Sequence, residues 1–158
     1  MTYPATIRDS IQTLLDTTGF AVLATENAGQ PHTSLIAITP VDEGQRLVFS
    51  TYRNTRKFAN LMQNPKVSVL MDGRRECSGS SPTSFVLSAV GRVHEINDAT
   101  RPHRLDAHLQ KHPDLATFTQ EPDCVLLEVV VDAYQIVRGI DDATWWRVDA
   151  LKGPSESV

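Results

Sequence analysis

The chain has 158 residues, 41% hydrophobic and 22% charged, which fits one globular domain with its own core and excludes a disordered chain. A net charge of −4 with no basic stripe excludes nucleic acid as a general partner. The longest apolar runs, Phe85–Val90 and Cys124–Val131, have strand length, and Met1–Ala5 has no signal-peptide character, so a cytoplasmic protein with reduced thiols is expected.

Residues Ala5–Asp16 carry Ile7, Ile11, Leu14 and Leu15 at helical spacing, and Gly19 stops the helix. Phe20–Thr25 reads as a buried strand, Glu26–Pro31 as a turn and His32–Ile38 as a second strand closing a hairpin. A turn at Asp42–Gln45 leads to a third strand, Arg46–Ser50. From Thr55 the period changes: Phe58, Leu61 and Met62 predict a helix that ends at Asn64-Pro65. Lys66–Met71 alternates as a fourth strand, Gly73–Pro82 is a polar loop, and Phe85–Val93, broken by Gly91, is a fifth strand. Ala99–Lys111 reads as a helix ended by His112-Pro113-Asp114. Val125–Val131 is a sixth strand, Ala133–Ile140 a separate ladder, and Thr144–Val148 a short aromatic terminal strand. No repeat or linker divides the chain, so one domain over residues 1–152 and a mobile tail over 153–158 are expected. Short consecutive strands joined by tight turns point to an antiparallel β-barrel with flanking helices.

Chemistry is most legible in Leu47–Lys57. A buried strand ends in the hydroxyl residues Ser50 and Thr51, and a helix starts at Asn54 or Thr55. A helix start has unpaired N–H groups and partial positive charge, which suit a phosphate. Its first turn normally favours acidic residues, yet here it holds Arg56 and Lys57, which opposes folding unless an anion is bound. Two readings are open: a solvated basic pair with Thr55 as a plain cap, or an anion site.

Three stretches in order resemble the pyridoxamine 5′-phosphate oxidase-like family of flavin-binding split barrels. They are Gly29–Ile38, Val48–Thr51 with Thr55–Lys57, and Asn60–Leu70, the last similar to that family's N-L-x-x-N-P-x-V-S-L run. The resemblance covers Phe20 to Met71 well and the remainder in strand order. It implies a six-stranded antiparallel split β-barrel that binds FMN, with relatives that hold deazaflavin or heme instead. It further implies that Arg56 and Lys57 pair with the flavin phosphate, helped by Ser50, Thr51 and Thr55. Ser34, Leu35, Ile36 and Ala37 would lie along the isoalloxazine ring. The family's homodimers place the cofactor between subunits, so a second chain would supply residues of the fifth strand and the C-terminal aromatic segment, with Trp145 and Arg147 as candidates. The implied activity is flavin-dependent redox chemistry on a small molecule, with a carrier or sensor without turnover as the alternative. Oxidases acting on pyridoxamine phosphate have Arg and Lys where this chain has Ser34 and Thr39, so that particular substrate is not implied.

The remaining candidates are lone side chains. One of Trp145 and Trp146 is expected to pack a barrel end or dimer seam. His108 and His112 have the spacing of a metal pair but lack a third ligand, and with His103 they read as solvated helix residues. His32 and His94 are better placed to touch a ligand, and His32 could donate a proton near the ring. Cys124 opens an apolar strand and is expected in the core, whereas Cys77 follows Arg74-Arg75 in a polar loop and reads as an exposed thiol.

Overall fold

The computed structural model describes residues 3–74 and 84–151; Cys77 and the tail beyond Gly153 lie outside them. The elements in order are α1 (Tyr3–Thr17), β1 (Phe20–Asn27), β2 (Gln30–Ala37), β3 (Thr39–Val41), β4 (Arg46–Tyr52), α2 (Arg56–Gln63), β5 (Lys66–Asp72), β6 (Val86–Glu95), α3 (Arg101–Lys111), α4 (Ala116–Gln120), β7 (Cys124–Gly139), β8 (Asp142–Arg147) and α5 (Val148–Leu151). The six long strands expected from the sequence are all present. The three-residue β3 and the short α4 are additions that runs of this length cannot announce.

The strands form one antiparallel sheet in the order β2-β1-β5-β6-β7-β4-β3, with β8 added beside the far half of β7. β2 passes into β3 through Ile38 alone, although these two strands end the order. The sheet therefore curls until its ends meet, and β2 comes to lie against β4 and α2 with no ladder between β2 and β4 among the described residues. That unpaired seam is the split of a split β-barrel.

The barrel interior is filled from β1, β4, β5, β6 and β7, with Leu23, Leu47, Phe49, Val69, Met71, Leu87, Leu127 and Val129 almost wholly buried. Ile7, Ile11, Leu14 and Leu15 of α1 join the same core, as their spacing predicts. A smaller cluster of Val48, Ile96 and Leu126, with Val41 and Leu105 packed on it, lies on the outer face of β4 and β7 beneath α3. β1 corrects one expectation: it is buried on one face only. Ala21, Leu23 and Thr25 point inward, while Phe20 is 61% exposed and Val22 also meets solvent. An antiparallel strand needs apolar residues on one side only, so a continuous apolar run overstated its burial.

Two local features set the register. The β1–β2 hairpin turns through Ala28 and Gly29, both at positive φ (52° and 84°), between the paired Asn27 and Gln30. A two-residue turn of this hand matches strand twist and fixes which β2 residues face inward. Farther along, β7 is one continuous strand rather than the two expected ladders. Its pairing with β6 steps from Val90↔Ala133 to Gly91↔Val131, so Asp132 is the extra residue of a bulge. The apparent break in the sequence is that bulge. Among the described residues no helix is long and apolar enough to cross a membrane.

Candidate functional site

The helix start foreseen at Asn54 or Thr55 is realised with Thr55 as the N-cap of α2. Its Oγ1 accepts from Phe58 N at 3.3 Å and donates to the Tyr52 carbonyl at 2.9 Å, which locks the turn after β4. Thr51 points inward from β4 and is buried, with its Oγ1 3.4 Å from Thr55 Oγ1. Lys57 Nζ donates to Thr51 Oγ1 across 3.4 Å, a long contact, and no carboxylate among the described residues pairs with it. Burial holds the Lys57 amine below the usual lysine pKa. Arg56 is exposed at the same helix start.

Thr51, Thr55, Arg56 and Lys57 thus converge on one helix N-terminus whose first turn has no acidic residue. Arg53, the third cation of the segment, is occupied elsewhere: its guanidinium donates to Glu95 at 2.7 Å and sits 5.6 Å from the Phe58 ring centre. Ser50 is a correction. Successive strand residues point to opposite faces, so Ser50 turns away from Thr51 to the outer side, where its Oγ lies 3.2 Å from His108 Nε2. Two adjacent hydroxyls could not both face one phosphate from a regular strand.

The Asn60–Leu70 run explains how the cluster is held. Asn60 is buried and donates through Nδ2 to Thr25 Oγ1 at 3.0 Å, tying α2 to the inner face of β1. Asn64 donates to Glu26 at 2.7 Å and accepts from Lys66 N at 3.1 Å, which stops the helix and starts β5. Asn60→Ala should therefore cost about 1–2 kcal/mol in urea unfolding, because it leaves the Thr25 hydroxyl buried without its donor.

On β2, Ile36 faces the core, Leu35 is 66% exposed on the outer side, and Ser34 and Ala37 are half-buried. Ser34 Oγ and His32 Nδ1 are shut off from solvent without a hydrogen-bond partner among the described residues. Both lie on the inner face of β2, which lies against β4 and α2. Trp145 and Arg147 are not brought to this cluster within one chain. They pair with Gln135 and Ala133, whereas Thr51 pairs with Val125. The ten residues from Val125 to Gln135 put Trp145 about 30 Å along β7. Trp146 packs partly into the core and Trp145 is 55% exposed, so one Trp packs and its neighbour is open.

The helix histidines are a second correction. His103 is exposed as expected, but His108 is fully buried and His112 nearly so. His108 Nδ1 lies 2.8 Å from Thr39 Oγ1, and His112 Nε2 donates to the Ile38 carbonyl at 2.8 Å. Burial, with His112 and Lys111 nearby, pushes the His108 pKa down to about 4, so the ring is neutral. Beside it Arg104 grips Asp42 through two bonds (2.6 and 3.2 Å), and the buried Glu128 takes Arg46 at 2.5 Å and His94 at 2.8 Å. These groups fasten α3 to the outer face of the sheet. Spacing within α3 marked the histidines, but only the strand register shows the threonine, serine and carboxylates they meet. No group of three or more His, Cys, Asp or Glu among the described residues could hold a metal ion.

A flavin phosphate fits the cluster on α2: one half-buried amine, one exposed guanidinium, the neighbouring hydroxyls of Thr51 and Thr55 and a capped helix start, with two polar atoms along the adjoining β2 that have no partner among the described residues. Solved structures share this fold. The heme-binding protein of Mycobacterium smegmatis superposes with a TM-score of 0.78 at 17% identity, over 92% of this chain and 59% of its own. Campylobacter jejuni ChuZ gives 0.75 at 15% identity, over 96% and 66%. A Clostridium acetobutylicum protein related to general stress protein 26, of the pyridoxinephosphate oxidase family, gives 0.69 at 16% identity, over 92% and 97%. The chain thus spans less than two thirds of the first two proteins, and identities this low speak for the fold alone. No curated protein matches the sequence. The family model described as pyridoxamine 5′-phosphate oxidase matches residues 7–138. The chain belongs to the pyridoxamine 5′-phosphate oxidase family.

Proposed function

We propose that the chain is a cytoplasmic, homodimeric FMN-binding oxidoreductase acting on a small molecule. The observation that carries this is the Lys57 amine, half-buried at the start of α2 beside Thr51 and Thr55 with no carboxylate partner among the described residues. A bound phosphate supplies the missing counter-charge, and Arg56 adds a forked donor from the rim. The isoalloxazine would then lie along β2 where it faces β4 across the split, beside the Ser34 side chain and the backbone of Leu35, Ile36 and Ala37, because the Leu35 side chain points to the outer face. Flavin supplies the redox chemistry when bound, and the protein's part is to place and polarise it. In this chain Thr55 fixes the phosphate turn and Asn60 fixes the helix that carries it.

The dimer is supported by the outer face of the sheet. Phe20 and Val22 of β1, Leu35 of β2 and Leu70 of β5 are exposed side by side, with Val22 directly opposite both Leu35 and Leu70. Such a contiguous apolar face on one chain favours a partner. A second copy could also carry Trp145 and Arg147 to the cluster that they do not reach within their own chain.

Titration with FMN, followed by the flavin absorption bands, tests the reading. Arg56→Ala combined with Lys57→Ala should weaken FMN by about 2–3 kcal/mol, a value reduced for the exposure of Arg56, without lowering the melting temperature of the cofactor-free chain. Unchanged affinity would move the phosphate elsewhere. A second reading, a heme carrier, is favoured by the likeness to the M. smegmatis heme-binding protein. It predicts a Soret band on heme addition and no response to the double substitution in FMN titrations.

A further inference from the structure

Four buried side-chain atoms have no hydrogen-bond partner among the described residues: His32 Nδ1, Ser34 Oγ, Arg104 Nε and Glu128 Oε2. The last two answer each other as an ion pair at 3.6 Å. The pair on β2 has no such counterpart. An orphaned buried polar atom costs about 1–3 kcal/mol, so two on one face of one strand mark a place where something else completes the bonding.

Their position narrows what that is. His32 and Ser34 are two residues apart and point to the same face, about 7 Å from each other. His32 stands directly opposite Thr25, whose hydroxyl accepts from Asn60 of α2. Lys57 precedes Asn60 by three residues and shares its side of the helix. The orphans therefore lie beyond the phosphate cluster along this path, about 10–12 Å from Lys57 when the helix rise, the hydrogen bond and the cross-strand spacing are taken together. An occupant anchored by a phosphate at Lys57 would run its remaining body past them. An isoalloxazine has along one edge an N–H flanked by two carbonyls, and imidazole Nδ1 can accept or donate according to tautomer.

Resting on the flavin reading above, we propose that His32 binds the polar edge of the flavin ring through Nδ1, with Ser34 Oγ as the adjoining contact. The ring, rather than the phosphate, is what His32 recognises.

The test uses FMN and riboflavin, which share the ring and differ in the phosphate, titrated into the unaltered chain and its variants. His32→Ala should weaken both ligands about tenfold, the worth of one hydrogen bond in a closed site. His32→Asn, whose amide occupies the Nδ1 position, should stay within about threefold of the unaltered chain. Arg56→Ala with Lys57→Ala should weaken FMN alone. The melting temperature of cofactor-free His32→Ala should hold or rise, because an orphan has been removed. Unchanged affinities in His32→Ala, a loss confined to FMN, or a cofactor-free melting temperature several degrees lower would each overturn the assignment while the flavin reading stands. An unaltered chain that takes up neither ligand would overturn both.

Discussion

Gly91→Ala is expected to destabilise the fold by about 4 kcal/mol, a large share of what holds a domain of this size together. A Cβ built on Gly91 would lie 2.1 Å from the Val130 carbonyl oxygen and 3.0 Å from its carbon. Both obstacles are backbone, so no side chain can swing aside. Relief requires the two central strands, β6 and β7, to part at their bulge, which loosens the ladder from Val90 to Arg92 and the core residues beside it. Gly19 is the internal control: nothing lies within 4 Å of its Cβ position, so Gly19→Ala should stay within about 0.5 kcal/mol. Urea midpoints for the two variants check the contrast. Equal midpoints would show that β6 and β7 do not approach at this bulge.

The same bulge shows where a sequence can be read and where it cannot. Lys66–Met71 alternates, and alternation maps directly onto a strand with one buried face, whereas Leu47, Val48 and Phe49 are a continuous apolar run because β4 is covered on both faces. The β7 segment also keeps its pattern, but Asp132 adds one residue and flips the phase, which in one dimension looks like the end of one strand and the start of another. Gly91 was visible as an interruption of β6. Its purpose, room for the Val130 carbonyl, depends on a partner about forty residues away and is set by register alone.

The candidate site divides in the same way. Thr55 as cap and the basic residues after it are local signals of the chain, and the structure places both at the start of α2. Ser50 looked equivalent to Thr51 because the sequence shows proximity but not which face a side chain takes. Trp145 and Arg147 looked close to the site because the family resemblance supplies a second subunit, whereas one chain keeps them apart along β7. The exposed helix face expected for His108 and His112 is the clearest reversal. α3 is polar along most of its length, and its buried side is itself polar: Arg104, His108 and then His112 at its C-cap. A helix that covers Thr39, Ser50 and Glu128 with Arg104 and His108, and meets the apolar patch of Val48, Ile96 and Leu126 through Leu105, buries polar side chains that a search for an apolar stripe does not mark.

That polar layer makes the fold acid-sensitive in a defined window. His108 is held neutral by burial, with His112 and Lys111 adding to the effect, and its pKa falls from the ordinary 6.5 to about 4. Below pH 6.5 the unfolded chain takes up a proton that the folded chain refuses until about pH 4. Stability is therefore fully present above pH 6.5, is lost progressively between 6.5 and 4, and falls no further from this group below that. A shift of this size on a group with no solvent exposure corresponds to about 3 kcal/mol. The paired carboxylates act in a lower range. Asp42, held below its usual pKa chiefly by Arg104, and Asp98, held down by Thr100, lose their contributions only as pH falls through the carboxylate range. Unfolding free energies measured in urea at pH 7, 5.5 and 4.5 should thus decline by close to one proton's worth per pH unit in the middle of the window. His108→Asn keeps a polar atom near Thr39 Oγ1 and cannot titrate, so its decline from pH 7 to 4.5 should be smaller than that of the unaltered chain by the His108 contribution, even if its stability at pH 7 is lower. Parallel profiles for the two chains would mean that His108 is charged or solvated in the folded protein, and that α3 does not seal the sheet over Thr39 and Ser50.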